Sequence, residues 1–211
     1  MISILILKRQ RNNLSYALSC FFIFIFLGGL FNAIYVLLTT QVNEPTVCFL
    51  HFVTYFFFCF AQIFLLIFNL ILLRSDRIIS KKKQFYILGI YAILLWGLLL
   101  IPEGIHINKS TYYRPQWNLA FFIYANLVWI GCAMIPTLYT SLKIYKSIDD
   151  SDLKKKWIYY LIGTIMVYIE LFGVGVLIYI NDPTLRLIWN IYDLTVILGA
   201  ILIFYGVGRQ L

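Results

Sequence analysis

Residues 154–180 read KKKWIYYLIGTIMVYIELFGVGVLIYI, residues 181–186 read NDPTLR, and residues 187–209 read LIWNIYDLTVILGAILIFYGVGR. Two apolar runs, each long enough to cross a bilayer, are joined by a turn of a few residues. Each run carries one acid in otherwise lipid-like company, Glu170 in the first and Asp193 in the second. A carboxylate at the centre of a membrane helix costs roughly 2.5–3.5 kcal/mol on insertion scales, so such groups face a bundle interior and find partners. This stretch decides the fold class and says where function is to be sought.

Composition agrees. The chain is 62% hydrophobic and 12% charged, against about 45–50% and about 25% in globular domains. Its 18 Phe and 16 Tyr residues suit lipid-facing and interfacial positions. The net charge of +8 could suggest nucleic acid. The basic residues instead lie in short clusters between apolar runs, as topology signals do, so the expected partner is the lipid bilayer. Cys20, Cys48, Cys59 and Cys132 form no CxxC pair and no metal-finger spacing, and read as small buried residues. The opening MISILIL is too short for a signal-peptide core, and KRQR follows it instead of preceding it. The first long run therefore reads as a retained signal anchor.

Six segments qualify as spanning helices, at about 14–38, 48–73, 85–101, 118–142, 157–180 and 186–207. The fold class is an all-α polytopic membrane helix bundle forming one domain over 1–211. With the amino terminus inside, the outer loops hold only Lys109, Arg114 and Arg186, which leaves 14 of the 17 basic residues inside. Arg77 and the run Lys81, Lys82, Lys83 belong to that inner set. Short loops are where the positive-inside rule holds best, so both termini are expected to be cytoplasmic at the cell membrane. Tyr112, Tyr113 and Trp117 are expected as interfacial anchors outside, and Trp157, Tyr159 and Tyr160 inside. In the connector SIDDSDLKKK an Asp or Ser should cap the fifth helix. The longest polar stretches, at 102–117 and 143–156, are too small for a soluble core.

At 1.5 Å per residue Glu170 falls near the midplane, and Asp193 about 10 Å inside the outer edge. Arg186, Asn190 and Asp193 are spaced i, i+4, i+7 and share one helix face. Asn126 on the fourth helix lies at a similar depth. The expectation is a polar pocket in the outer half of the bundle made by Asn126, Glu170, Arg186, Asn190 and Asp193, able to take a small-molecule ligand. The alternative is a set of interhelical hydrogen bonds that fixes packing, at roughly 0.6 kcal/mol each. Pro136 can kink the fourth helix. Gly28, Gly29, Gly163, Gly173 and Gly175 allow close helix approach. At the outer mouth Glu44, Cys48 and His51, with Glu103 and His106, supply acid, thiol and imidazole that could ligate a transition metal, although nothing in their spacing forces the two groups together.

Several chemistries are excluded. No span interior holds a lysine for retinal, or paired histidines for haem. No buried serine has an evident base, and no glycine-rich phosphate loop appears. The chain reads as a non-enzyme without a cofactor.

The outer loop PEGIHINKSTYYRPQWN, the connector DDSDLKKKWIYYLIG and the ending LIFYGVGR carry a resemblance over about 85–211. Together they resemble the seven-helix membrane sensor region of prokaryotic histidine kinases. Two features depart from that pattern: only six spans are visible, and no dimerisation helix, phosphoacceptor histidine or ATP domain is found before Leu211. The resemblance thus implies a sensory or receptor-like bundle signalling through a separate cytoplasmic partner. Two other readings stay open. One is a small proton-coupled transporter, which should show paired broken helices in matching halves. The other is a scaffold or assembly protein, indifferent to Glu170→Gln and Asp193→Asn.

Overall fold

The computed structural model describes residues 2–209, and the side chains of all of these except 75–78. Arg77 of the expected inner set therefore lies outside the described side chains. The helices are α1 (Ile2–Arg9), α2 (Asn13–Leu38), α3 (Glu44–Ile78), α4 (Lys81–Trp96), α5 (Leu119–Trp129), α6 (Ile135–Ser147), α7 (Ser151–Ile180), α8 (Pro183–Tyr192) and α9 (Thr195–Ile203). A 3₁₀ turn extends α4 to Leu100, a π turn joins α5 to α6, and another follows α9 to Gly208. Six helical stretches among the described residues are long and apolar enough to cross a membrane: α2, Glu44–Arg74, Lys81–Leu100, Leu119–Ser147, α7 and Pro183–Gly208.

Local chemistry places the boundaries. The Asn12 side chain accepts from Ser15 N at 2.8 Å and starts α2. Asp150 accepts from the amides of Asp152 and Leu153, so α7 begins at Ser151, six residues before Trp157. It ends at Asn181, whose φ of 57° is the left-handed stop that Asn tolerates. Asp182 caps α8, with Pro183 in its first turn. Ahead of Pro136 the π turn Ile130–Met134 widens the helix, and the missing amide is absorbed there.

The most buried span is α3, which packs along α2 through rings: Phe24 meets Phe57, Phe60 and Phe64 at 5.7, 5.1 and 5.2 Å. α7 packs against α9 at very close range. A Cβ on Gly163 would lie 2.5 Å from the Gly199 carbonyl, and one on Gly206 2.6 Å from the Lys156 carbonyl. Gly28 abuts the Phe58 ring, whereas nothing approaches Gly29, so that glycine makes no close contact. Toward the end that carries the 143–156 connector, Asn69 ties three helices together. Its Nδ2 donates to the Thr137 carbonyl at 3.0 Å and its Oδ1 accepts from Tyr160 OH at 2.9 Å.

Three expected anchors are core residues instead. Trp117, Trp157 and Tyr160 are all at most 5% exposed. Trp157 Nε1 donates to the Ser141 carbonyl at 2.9 Å, and Trp117 Nε1 to His51 Nε2 at 3.1 Å. Each amphipathic ring finds its polar partner inside the protein, not at a lipid headgroup. Tyr112, Tyr113 and Tyr159 remain exposed.

The loop 102–117 is ordered by a small antiparallel hairpin that pairs Ile105 with Trp117 and His106 with Gln116. At the other end of the bundle α1, unforeseen as an element, lies on α2 with Ile6 fully buried. Arg9 Nη1 donates to the Arg209 carbonyl at 2.7 Å, so the two ends of the described chain meet.

Candidate functional site

The cavity that matters lies between α2, α3, α7 and α8 and opens toward the hairpin. It has a volume of about 860 Å³. Four of the five expected pocket residues line it: Glu170, Arg186, Asn190 and Asp193. Asn126 does not. It is 9% exposed on α5, its Nδ2 returns to the Phe122 carbonyl at 2.8 Å, and it meets α7 near Gly175. Equal depth put it at the right level, but its helix packs on a different face of α7.

The geometry around Glu170 follows from one glycine. Gly173 leaves room for the Trp189 indole, whose ring occupies the place a Cβ would take. Seated there, Trp189 Nε1 donates to Glu170 Oε1 at 3.2 Å. Glu170 Oε2 is buried beside the Asp193 carboxyl, the two acids close enough to share a proton, and bonds to no other group. One Asp193 oxygen, Oδ1, is buried as well. The last span is interrupted here. α8 ends at Tyr192, α9 starts at Thr195, and Val196 N bonds back to the Asp193 carbonyl at 3.1 Å.

Toward the hairpin the wall changes character. Arg186 Nη2 donates to the Pro115 carbonyl at 2.5 Å, while its Nε is buried and unpartnered. The guanidinium is within electrostatic reach of Tyr35, His51 and Arg114. An imidazole that accepts at Nε2, as His51 does from Trp117, carries its proton on Nδ1. That Nδ1 is buried and has no partner.

Sequence reasoning missed the contribution of α2 and α3. Asn32, Tyr35, His51, Tyr55 and Gln62 all line the cavity. A signal existed for Gln62 and His51, polar side chains inside an apolar run. Which way they face could not be read from α3, because that helix is apolar around most of its circumference.

The metal candidates scatter. Glu44 and His106 come together, Oε1 to Nδ1 at 4.0 Å, and Asn108 Nδ2 donates to the same Glu44 oxygen at 3.0 Å. Cys48 Sγ is directed at the Ile105 carbonyl at 3.4 Å, and His51 is committed to Trp117. The Glu103 carbonyl accepts from Asn118. Among the described residues no group of three or more His, Cys, Asp or Glu side chains is placed to hold a metal ion.

A cavity of this size lies within the range of small-molecule sites, about 300–1,000 Å³. Its buried unpartnered atoms are what a polar ligand would satisfy, since each costs free energy while unpaired. Compared with known proteins, the chain matches no protein-family model, no curated protein and no solved structure, so the functional reading rests on this cavity and its residues.

Proposed function

We propose that this is a receptor-like or sensory membrane bundle, both termini cytoplasmic, that binds a small molecule in this cavity and signals through a separate cytoplasmic partner. One observation carries the reading: an 860 Å³ cavity lined by the neighbouring carboxyls of Glu170 and Asp193. The last span gives such a site a path to the opposite face. Its α8 half lines the cavity, and its far end packs Gly208 against Ile6 and Leu18 and takes the Arg9 hydrogen bond. A ligand that binds one arrangement of this span better than another biases its population. The resemblance of residues 85–211 to kinase sensor regions supports sensing over catalysis, and the basic clusters support the orientation.

The test is a thermal-shift screen of small apolar and zwitterionic molecules on the detergent-solubilised protein, run beside Val174→Trp, which fills the cavity from α7. Binders should raise the melting midpoint of the parent and leave the filled variant unmoved. If no molecule distinguishes the two proteins, the receptor reading is wrong.

A carrier is the second reading, favoured by the interruption at Asp193 beside the cavity. Broken membrane helices occur where they line a cavity, and they mark transport sites. Accumulation of a bound molecule inside proteoliposomes would decide for the carrier.

A further inference from the structure

The cavity is chemically graded along the bundle axis, and the grading defines a ligand. At the hairpin end its free polar atoms are donors: Arg186 Nε and His51 Nδ1 are buried and unpartnered, and Arg114 lines the same end. Deeper, the wall is made of acceptors: the neighbouring carboxyls of Glu170 and Asp193, and Gln62 Oε1. The side chains of His51, Glu170 and Gln62 are each at least 93% buried, while Arg186 and Asp193 are half-buried at the cavity wall. Helix arithmetic gives the order twice over. Arg186 and Asp193 are seven residues apart on the last span, about 10 Å, and His51 and Gln62 are eleven apart on α3, about 16 Å. Beyond the acceptors the wall is apolar, formed by Phe21, Ile25, Val167 and Ala200. The side wall also reaches the lipid-facing surface. Val36 on α2 and Leu187 on α8 line the cavity and are 56% and 66% exposed, so this wall is one side chain thick.

Resting on the ligand-binding reading above, we infer that the ligand is a zwitterionic amphiphile that enters from the bilayer, with its anionic group toward Arg186 and His51, its protonated amine on Glu170 and Asp193, and its apolar chain among Phe21, Ile25 and Ala200. A carboxylate or phosphate accepts from the donor end with charge assistance. An ammonium supplies positive charge and N–H groups to the neighbouring carboxyls of Glu170 and Asp193. A purely anionic lipid would place no donor against Glu170, and a simple amine would leave Arg186 Nε and His51 Nδ1 unmet.

The test uses four probes that each carry an eight-carbon chain, on the full chain in lipid nanodiscs at fixed lipid-to-protein ratio: N-octyl-4-aminobutanoate, octanoate, octylamine and octanol. Saturable change in tryptophan emission reports binding, because Trp189 stands in the cavity wall. The zwitterion should bind at least tenfold tighter than any of the other three. Arg186→Gln should reduce it to the level of octylamine, and Glu170→Gln to the level of octanoate. Equal saturable binding of all four probes overturns the ligand class while leaving the cavity a binding site. If no probe gives a saturable change in a parent protein that still melts cooperatively, both the ligand class and the binding reading fall.

Discussion

Gly173 holds the carboxyl end of the cavity in shape, because the Trp189 ring lies where any larger side chain would begin. Gly173→Ala forces the indole away, which breaks the bond from Nε1 to Glu170. Overpacking of this kind costs about 1–3 kcal/mol. The expected result is a lower unfolding midpoint in detergent together with a red-shifted tryptophan emission; an unshifted spectrum argues against the packing described. Tyr160 offers a milder test at the other end. Tyr160→Phe removes the donor to Asn69 Oδ1 and should cost about 0.6 kcal/mol and no more than about 1.7 kcal/mol, the average and the maximum for hydrogen bonds between membrane helices. Denaturant titration in mixed micelles reads this directly. Glu170 and Asp193 were legible as cavity residues because an acid in an apolar run has little choice but to face inward. Asn126 and Trp117 misled for the opposite reason: a side chain that can satisfy itself on its own helix, or pair with one buried imidazole, does not announce its direction.

The α7–α9 contact is set at the scale of the helix pair, by Gly163, Gly199 and Gly206 meeting backbone on both sides. A methyl at Gly163 would press on the Gly199 carbonyl, the Ile203 amide and the Ile203 side chain. Gly163→Ala should therefore destabilise by about 1–3 kcal/mol. Gly29→Ala, with open space around it, should change stability by less than about 0.5 kcal/mol. Equal effects of the two substitutions would contradict the close approach of the helices. The six spans could be read from length and hydropathy alone, since hydrocarbon thickness dictates both. The interruption between α8 and α9 could not. Asp193 and Leu194 include neither Gly nor Pro, so the break has no local mark in the sequence. The hairpin of the 102–117 loop escaped notice because its strands are two residues long.

The distribution of basic residues speaks for the molecule as a whole. Lys109 beside the hairpin and Lys155 at the start of α7 are both exposed and lie at opposite ends of the bundle. In a background with Cys20, Cys48, Cys59 and Cys132 replaced by alanine, Lys109→Cys should react with a membrane-impermeant maleimide in intact cells. Lys155→Cys should react only after permeabilisation; the reverse pattern would invert the orientation. Arg9 and Arg209 add a point about timing. α1 is made before the last span, yet its hydrogen-bond acceptor on Arg209 and the part of its packing surface at Gly208 are made only with the end of that span. Its contact with α2 can form early, but the part of its surface that meets Gly208 and Arg209 stays open until the last span is made. Substitutions at Ile6 or Gly208 should accordingly reveal themselves in biosynthetic yield before they do in the stability of protein already assembled.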